Sequence, residues 1–306
     1  MRNILLALVS IAIGFAISFF GLNSYYNSIS AEDTTESSEV TTPEKVVKTT
    51  PSDEASSKEN VSEEEEVSTE KVSMSLNSVN IEDLQEDFDT WNTYTKENID
   101  LMSTFVPIDD KGSSMDKGIF LTLLRTGAYI PVKSEKKGKI HYQLMSIDDS
   151  TDEKIKKSIV SKAAIAHQYF KMEGKRLPDY DFVDLQGKAH NKEDTKGKLL
   201  VIKCWFITCK VCVEEFPELN ELVDKYKDDK IEFVSLAFDK KDELVNFLKT
   251  KEFKYPTIPE QKDYMAKKLK VKQYPTHLIV DANGVIMKMV SNVKTLTSEL
   301  ERIMGK

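Results

Sequence analysis

Hydrophobic and polar positions divide the chain into four stretches. Residues 4–22 contain no charged side chain. The following stretch, 31–73, is rich in Glu, Ser, Thr, Val and Lys and contains no aromatic residue. Beyond it, apolar residues recur at the spacings of helices and strands. The pattern therefore predicts an N-terminal apolar segment within residues 1–30, an acidic linker, and folded domains at 74–174 and 175–306.

The apolar segment is long enough to span a bilayer, which takes roughly 20 predominantly apolar residues. Arg2 precedes it, and Tyr25 and Tyr26 follow it. Basic residues favour the cytoplasmic side and tyrosines the membrane interface. We expect a single-pass anchor in the cytoplasmic membrane, with the folded domains outside the cytoplasm, in the periplasm if the cell is Gram-negative. A cleaved signal peptide is the alternative, because residues 28–30 (Ser-Ile-Ser) form an acceptable cleavage pattern.

The acidic linker cannot bury enough apolar surface to offset the entropy lost on ordering. We predict that residues 31–73 are a disordered tether. Such a tether would keep the folded part within a few tens of ångströms of the membrane. The run of four glutamates at 63–66 also allows an acidic docking tail.

Residues 74–174 have the pattern of a small α+β domain. Apolar residues lie at helical spacing between 81 and 91 and between 115 and 124, and a long helix is expected from Asp152. Two strands are expected at 128–132 and 140–145, joined by a Lys-rich turn that contains Gly138.

This first domain contains no recognisable catalytic motif. Phe88, Trp91 and Phe120 could line a binding groove, but aromatic residues at helical spacing are more often core residues. His141 and His167 appear isolated in the sequence, and we expect no functional role for either.

The second domain alternates between strand and helix patterns, as expected of an α/β domain. Strands are predicted at 182–185, 199–206, 231–237, 277–281 and 285–290. One helix is predicted to begin at the cysteines, and three more are predicted at 241–249, 262–269 and 296–304.

Composition narrows the functions that the chain can have. Its 51 acidic and 43 basic residues give a net charge of -8, which argues against a broad nucleic-acid interface, since that needs clustered Lys and Arg. The three cysteines all lie between residues 204 and 212, so disulfides cannot join distant segments. Thiol chemistry in this chain must therefore be local.

Cys209 and Cys212 form a Cys-x-x-Cys motif where an apolar strand leads into a helix. Free backbone N–H groups and the helix dipole at such a position favour a thiolate. Cys209 would attack a disulfide and Cys212 would resolve the mixed disulfide. Zinc is disfavoured, because a structural site needs two further Cys or His ligands at suitable spacing and the four histidines appear isolated. Cys204 is most simply a small buried apolar residue.

Two motifs give a resemblance to a known family. Trp205, the cysteine pair and the Glu-Phe-Pro-Glu-Leu-Asn sequence at 215–220 resemble the active-site signature of the TlpA and ResA group of membrane-anchored thiol-disulfide oxidoreductases. A second motif, Val-Lys-Gln-Tyr-Pro-Thr, follows at 271–276. The resemblance covers about residues 175–306. It implies a thioredoxin-like fold, with a central mixed sheet flanked by helices.

The resemblance also implies roles for individual residues. Pro275 would form a cis peptide bond and pack against the cysteine pair, and Tyr274 would offer backbone groups to a substrate strand. Trp205 and Thr276 join Tyr274 as expected substrate-binding residues. Glu215 would assist proton movement at the thiols, or would be a solvated first-turn glutamate.

The chain departs from the family at three places. Thr208 stands where a second Trp is common, and Lys210-Val211 replaces a dipeptide that often contains proline. Lys210 adds positive charge beside Cys209, and we expect it to tune the redox potential.

Lys203 is the third departure, because thioredoxin has a buried acidic residue at this position. We hypothesise that Lys203 lies beneath Cys212, pairs with Glu215 and favours the thiolate, since an unpaired buried ammonium would be costly. The alternative is that its amine reaches solvent.

The resemblance implies a protein disulfide reductase whose only redox group is the Cys209–Cys212 pair. Its expected partners are oxidised proteins, such as apocytochrome c, and a membrane electron donor of the thiol-reducing type. The same cysteines allow an oxidase or isomerase. A peroxiredoxin-like peroxidase is disfavoured, because no Pro-x-x-x-Thr-x-x-Cys sequence precedes Cys209. The alternative from another class is a redox-silent scaffold protein.

Overall fold

The computed structural model describes residues 81–306. All of the described residues belong to one compact unit. The predicted anchor at 1–30 and tether at 31–73 lie outside the described residues. Within the described part, no helix is both long enough and apolar enough to cross a membrane.

The first half combines helices with a three-stranded sheet. Its elements are α1 (Ile81–Glu86), α2 (Phe88–Asn98), β1 (Val106–Ile108), α3 (Lys117–Leu124), β2 (Tyr129–Lys136), β3 (Lys139–Ser146) and α4 (Glu153–Phe170). The strand order is β1-β3-β2, with β2 and β3 antiparallel and β1 parallel to β3. The tight turn between β2 and β3 consists of Lys137 and Gly138, both with positive φ, as a two-residue hairpin of the primed type requires.

Aspartate side chains fix where three of these helices begin. Asp87, Asp116 and Asp152 each accept a hydrogen bond from a backbone N–H in the first turn of α2, α3 and α4, respectively. The apolar faces of these helices point inward: Trp91 is 1% exposed and Phe120 0%, while Phe88 is partly exposed and packs against the core. The prediction that the aromatic residues belong to the core is confirmed for Trp91 and Phe120.

The second half is built on a five-stranded sheet. Its elements are β4 (Asp181–Val183), β5 (Ala189–Asn191), α5 (Lys192–Thr195), β6 (Leu199–Trp205), α6 (Lys210–Glu214), α7 (Phe216–Lys225), β7 (Ile231–Ala237), α8 (Lys241–Leu248), β8 (Thr257–Ile258), a π-helical turn (Tyr264–Lys268), β9 (Thr276–Val280), β10 (Ile286–Val290) and α9 (Val293–Met304).

The strand order of this sheet is β10-β9-β6-β7-β8. Strands β6, β7 and β8 are parallel to one another, β9 is antiparallel to β6, and β10 is antiparallel to β9. The predicted mixed sheet is therefore present in this part of the chain.

The helix expected at the cysteines is divided into α6 and α7. Pro217 explains the division, because it has no N–H to donate and its ring would clash with the carbonyl four residues earlier in a continuous helix. It instead lies in the first turn of α7, where a free N–H is not needed. The break places Glu215 at the junction, as the C-cap of α6 and the N-cap of α7.

The two halves share one hydrophobic core and several polar contacts. Thr104 donates to the Glu299 carboxylate from its backbone N–H (2.5 Å) and its hydroxyl (2.9 Å). The Thr295 hydroxyl contacts Asp100 at 2.5 Å. Around the predicted domain boundary, Gly174 donates its N–H to the carbonyl of Ile286 in β10. The first half is thus in direct contact with the sheet that carries the cysteine motif.

Candidate active site

Strand β6 leads directly to the cysteine motif. The strand ends at Trp205, a short turn follows, and Cys209 is the N-cap of α6. Cys209 and Cys212 form a disulfide with an S–S distance of 2.07 Å, and Cys209 Sγ also accepts a hydrogen bond from the Cys212 N–H at 3.3 Å. Cys209 is partly exposed, whereas Cys212 is 0% exposed. Only the outer sulfur is accessible to another molecule.

The inner cysteine is enclosed by apolar side chains. Cys212 shares a small buried cluster with Trp205, Phe216 and two aliphatic residues. The Trp205 ring meets the Phe216 ring edge-on at 5.0 Å between centroids. Since Trp205 is 0% exposed, it packs in the interior beside the cysteine turn, and direct contact with a substrate would require its side chain to move.

Three partly exposed aromatic rings form a platform next to the disulfide. Phe206 stacks on Phe238 with 5.0 Å between centroids, and Tyr274 meets both rings edge-on, at 5.5 and 4.9 Å. Val211, in the cysteine motif itself, is 57% exposed. This aromatic platform (Phe206, Phe238 and Tyr274) presents apolar surface beside the accessible sulfur.

The loop before β9 has the geometry implied by the family resemblance. The Tyr274–Pro275 peptide bond is cis. Tyr274 packs against the same apolar cluster as Cys209, so the loop borders the disulfide. Thr276 is 0% exposed, and its hydroxyl donates to the carbonyl of Gln273 at 2.7 Å. Thr276 therefore holds the loop internally rather than presenting its hydroxyl to solvent.

A buried group of three ionisable side chains lies behind the motif. Lys203 Nζ is 2.6 Å and His277 Nε2 is 3.0 Å from Glu215 Oε2. The other oxygen, Oε1, accepts the N–H of Val293 in the first turn of α9 at 2.9 Å. Lys203 and His277 are 0% exposed and Glu215 is 6% exposed. Lys203 and His277 are direct register partners across β6 and β9, which places both side chains on one face of the sheet.

The charges of this group follow from its hydrogen bonds. Burial would raise the pKa of Glu215, but hydrogen bonds and charge from His277 and Lys203 lower that pKa to about 2. Burial, followed by the Lys203 charge, lowers the pKa of His277. Glu215 is therefore a carboxylate and His277 is neutral at pH 7. A carboxylate only accepts hydrogen bonds, so the His277 proton lies on Nε2, and its Nδ1 has no hydrogen-bond partner among residues 81–306.

Glu215 connects this group to the cysteines. It lies three residues after Cys212, a spacing that puts two side chains on the same face of a helix. The hypothesised pairing of Lys203 with Glu215 is present, and the Lys203 amine does not reach solvent. Burial lowers the pKa of Lys203, and the nearby Glu215 carboxylate opposes this shift. The effect of Lys203 on the thiols stays a prediction.

The other residues of the motif lie on the surface. Lys210 is 88% exposed at its side chain and pairs with Glu214 at 3.6 Å. Thr208 is also exposed. Cys204 is a buried free cysteine, and burial raises the pKa of its thiol well above the usual range.

The prediction that the histidines are isolated was wrong for three of the four. His277 contacts Glu215, His190 lies between Asp184 (3.0 Å) and Glu232 (2.9 Å), and His167 contacts an arginine, Arg125, at 2.8 Å. A signal for His277 exists in the sequence, since it is the only acidic or basic residue of β9, as Lys203 is of β6. In the described part of the chain, no group of three or more His, Cys, Asp or Glu side chains has an arrangement that could hold a metal ion.

Comparisons with known proteins concern the second half of the chain. The AhpC/TSA family model matches residues 174–289. The thiol-disulfide oxidoreductase ResA of Bacillus thuringiensis is 33% identical over 138 residues, which cover 44% of this chain and 79% of that protein. The thioredoxin-like protein YneN of Bacillus subtilis is 31% identical over 131 residues, covering 42% and 75%. The solved thioredoxin domain of a thiol-disulfide oxidoreductase from Bacteroides vulgatus aligns with 43% of this chain and 96% of its own, at 21% identity and a TM-score of 0.40.

Proposed function

The chain belongs to the ResA family of thiol-disulfide oxidoreductases and is itself such an enzyme, and from this premise we propose that it reduces disulfides of extracytoplasmic proteins. The observation that carries the proposal is the unequal exposure of a bonded cysteine pair at the start of a helix. Cys209 is partly exposed and Cys212 is enclosed. This asymmetry suits a cycle in which one sulfur meets the substrate and the other completes the reaction.

The proposed cycle begins with both cysteines reduced. The Cys209 thiolate attacks one sulfur of the substrate disulfide, so a Cys209–substrate S–S bond forms as the substrate S–S bond breaks. The departing substrate sulfur takes up a proton. Cys212 then loses its proton and attacks Cys209 Sγ, which closes the enzyme disulfide and releases the second substrate thiol. Two electrons have passed from the enzyme to the substrate, and of the two protons that the substrate thiols gain, Cys212 supplies one and solvent the other.

Glu215 is proposed to influence the second step. It shares a helix face with Cys212, and its carboxylate is held by Lys203, His277 and the Val293 N–H. With a pKa of about 2 the carboxylate is a weak base, so in this proposal it acts on the Cys212 thiol through its charge and through a hydrogen bond, made directly or by one intervening water. In this proposal Lys203 and His277 are positioning residues, because they act through Glu215.

The aromatic platform supports a protein as the substrate. Phe206, Phe238 and Tyr274 offer apolar area beside the accessible sulfur. In a substrate protein, apolar side chains next to a cysteine that is buried or lies in a partly folded region could pack on these rings. The cis Tyr274–Pro275 loop would meanwhile offer backbone groups to the substrate. Apocytochrome c, with its two closely spaced haem-binding cysteines, is the substrate that the family resemblance suggests.

We further propose that the enzyme is anchored in the cytoplasmic membrane by residues 1–30 and works outside the cytoplasm. The support is the uncharged run at 4–22 and the acidic, aromatic-free composition of 31–73. In an oxidising compartment the cysteine pair must be reduced again after each turnover. A thiol-reducing electron donor in the same membrane fits this need, because the tether would raise the local concentration of each partner.

Trapping of the mixed disulfide tests the proposed function. Cys212→Ser removes the resolving sulfur, so we expect the full-length variant to accumulate Cys209-linked proteins that thiol reductant releases. The Cys209→Ser variant is the matched control and should trap none. Both proteins keep two of the three cysteines, which makes their thiol content equal. Equal trapping by the two variants, or none by either, would contradict the proposed cycle.

A further inference from the structure

One side chain of the first half makes contact with the loop that borders the disulfide. Tyr169 lies near the end of α4 and is 0% exposed. Its phenol oxygen is 3.1 Å from the backbone nitrogen of Lys272, 3.3 Å from that of Gln273 and 2.8 Å from Thr276 Oγ1. Its three partners surround Tyr274 and Pro275 in the chain.

The hydrogen-bond directions in this network can be assigned. Thr276 has one hydroxyl proton, which it donates to the carbonyl of Gln273 at 2.7 Å. The hydroxyl of Tyr169 must therefore donate to Thr276 Oγ1, while its lone pairs accept the N–H groups of Lys272 and Gln273. Burial raises the pKa of Tyr169, so the phenol keeps the proton that this arrangement needs.

The contact fixes the loop from its inner side. Tyr274, on the other side, remains partly exposed and belongs to the aromatic platform. A second, weaker contact joins the Gln273 amide to Met102 Sδ at 3.9 Å. Both contacts come from the segment that precedes residue 175, and the cysteine motif itself contributes neither of them.

We propose that Tyr169 is a positioning residue, through which the segment 81–174 holds the Lys272–Thr276 loop in the conformation that receives a protein substrate. This inference rests on the proposed function, in which the loop offers backbone groups to the substrate. It gives the first half a role in substrate binding without assigning it any catalytic residue. A loop held in its binding conformation loses less conformational entropy when the substrate arrives.

A purely structural role for Tyr169 predicts something different. If the hydrogen bonds of Tyr169 served stability alone, replacing it would lower the free energy of unfolding. The ratio of the activity with a protein disulfide to the activity with a small disulfide would stay unchanged. Tyr142 provides the matched comparison. It is also a buried tyrosine of the first half, and its hydroxyl accepts the N–H of Asp100 at 2.9 Å, with no contact to the loop.

The experiment compares Tyr169→Phe with Tyr142→Phe in the full-length protein. Each variant keeps its aromatic ring and loses one hydroxyl. Reduction of insulin, a protein disulfide substrate, is measured beside reduction of 5,5′-dithiobis(2-nitrobenzoate), a small disulfide that does not extend along the loop. For Tyr169→Phe we expect kcat/KM with insulin to fall about five-fold through KM, because substrate binding must then supply part of the free energy needed to order the loop. Reduction of the small disulfide should stay at the wild-type rate.

Amide hydrogen exchange shows directly whether the loop is released. In Tyr169→Phe the amides of Lys272 and Gln273 should exchange faster, and in Tyr142→Phe the amide of Asp100 should do so instead. Tyr142→Phe should keep wild-type kinetics with both substrates. Unchanged loop exchange, or an equal loss with both substrates, would overturn the inference.

The result for the wild-type enzyme separates the two proposals. If wild-type protein fails to reduce insulin, the proposed function is wrong. If the wild type is active and Tyr169→Phe matches it with insulin, the proposed function stands and the role of Tyr169 is wrong.

Discussion

At the scale of single residues, Lys203 is the most unusual feature of the site. A fully buried ammonium is costly unless it is paired, and here its partner is the Glu215 carboxylate. Removing one partner of a buried ion pair leaves the other charge uncompensated. The pair therefore matters to stability, and we predict that it also affects the ionisation of the cysteine thiols.

Lys203→Met should destabilise the protein and disfavour the thiolate. We expect a loss of about 3–5 kcal/mol in the free energy of unfolding, typical of a broken buried pair. We also expect the pH profile of Cys209 alkylation in the reduced enzyme to move to higher pH, because a nearby positive charge is lost. Urea unfolding and alkylation rates measure the two effects.

Lys210→Met is the control for the stability part of this prediction. Its side chain is 88% exposed and its pairing with Glu214 is a surface one, so the change should stay within about 0.5 kcal/mol. An alkylation profile for Lys203→Met that overlays the wild-type profile would refute the tuning role of Lys203.

His277 should make the protein sensitive to mild acid. Its pKa in the folded state is lowered by burial and by Lys203, below the ordinary histidine value of 6.5. The unfolded state then binds a proton more readily, so the free energy of unfolding should fall as the pH drops below about 6.5. Glu215 contributes a further loss only at lower pH, between the ordinary glutamate pKa of 4.5 and its folded-state pKa of about 2.

The variant that isolates this effect is His277→Gln, whose amide can still donate to Glu215. Its free energy of unfolding should depend less on pH between 7.5 and 5.5 than that of the wild type, as measured by urea unfolding at each pH. Parallel pH curves for the two proteins would show that His277 does not titrate as described.

At the scale of elements, the start of α9 supports the same carboxylate. Asn292 caps this helix by accepting the N–H of Thr295 at 2.8 Å, and the next residue, Val293, donates its N–H to Glu215. The helix dipole favours a negative charge at this end. The cap and the carboxylate thus satisfy different N–H groups of the same first turn.

Asn292→Ala should cost about 1 kcal/mol in the free energy of unfolding, the usual effect of losing an N-cap. Asn292→Ser can still accept the Thr295 N–H and should recover most of that loss. Urea unfolding of both variants measures the difference. A serine variant no more stable than the alanine variant would mean that capping is not what Asn292 contributes.

The strands and helices were more predictable than their register. Strand β7 has the predicted bounds 231–237. Strand β6 (199–205) falls within the predicted 199–206, where an apolar run interrupted only by Lys203 marks a strand covered on both faces. Short elements were missed: β8 has two residues and β1 has three, too few for any periodicity to appear. The expected helix at 262–269 is a five-residue π-helical turn.

The site was predictable only where its residues are close in sequence. The cysteine pair and Glu215 lie in one motif, and the cis bond at Pro275 was expected from the family resemblance. His277 was missed because its contact with Glu215 spans 62 residues and depends on the β6–β9 register. Tyr169 was missed for the same reason, as its contact with Thr276 spans 107 residues.

At the scale of the whole molecule, the two halves should unfold together. They share one continuous core and are joined by the Glu299–Thr104 and Tyr169–Thr276 contacts. The chain has two tryptophans, and each half contains one: Trp91 and Trp205. This distribution gives each half its own fluorescent reporter.

Single-tryptophan variants test this cooperativity. In Trp205→Phe the fluorescence reports on the first half, and in Trp91→Phe on the second. We expect the fluorescence transition in urea to coincide with the circular dichroism transition of the same variant, as two-state unfolding requires. A fluorescence midpoint clearly separated from the circular dichroism midpoint in either variant would indicate that the halves unfold independently.

We propose that this enzyme donates electrons to protein disulfides. The reduction potential of the Cys209–Cys212 pair decides whether it can, and it is measured by equilibrating the full-length protein with defined thiol–disulfide buffers and alkylating the free thiols. We predict a potential near or below that of thioredoxin, roughly -270 mV. A value near -120 mV, that of a strong oxidant, or a pair that does not cycle, would contradict the claim.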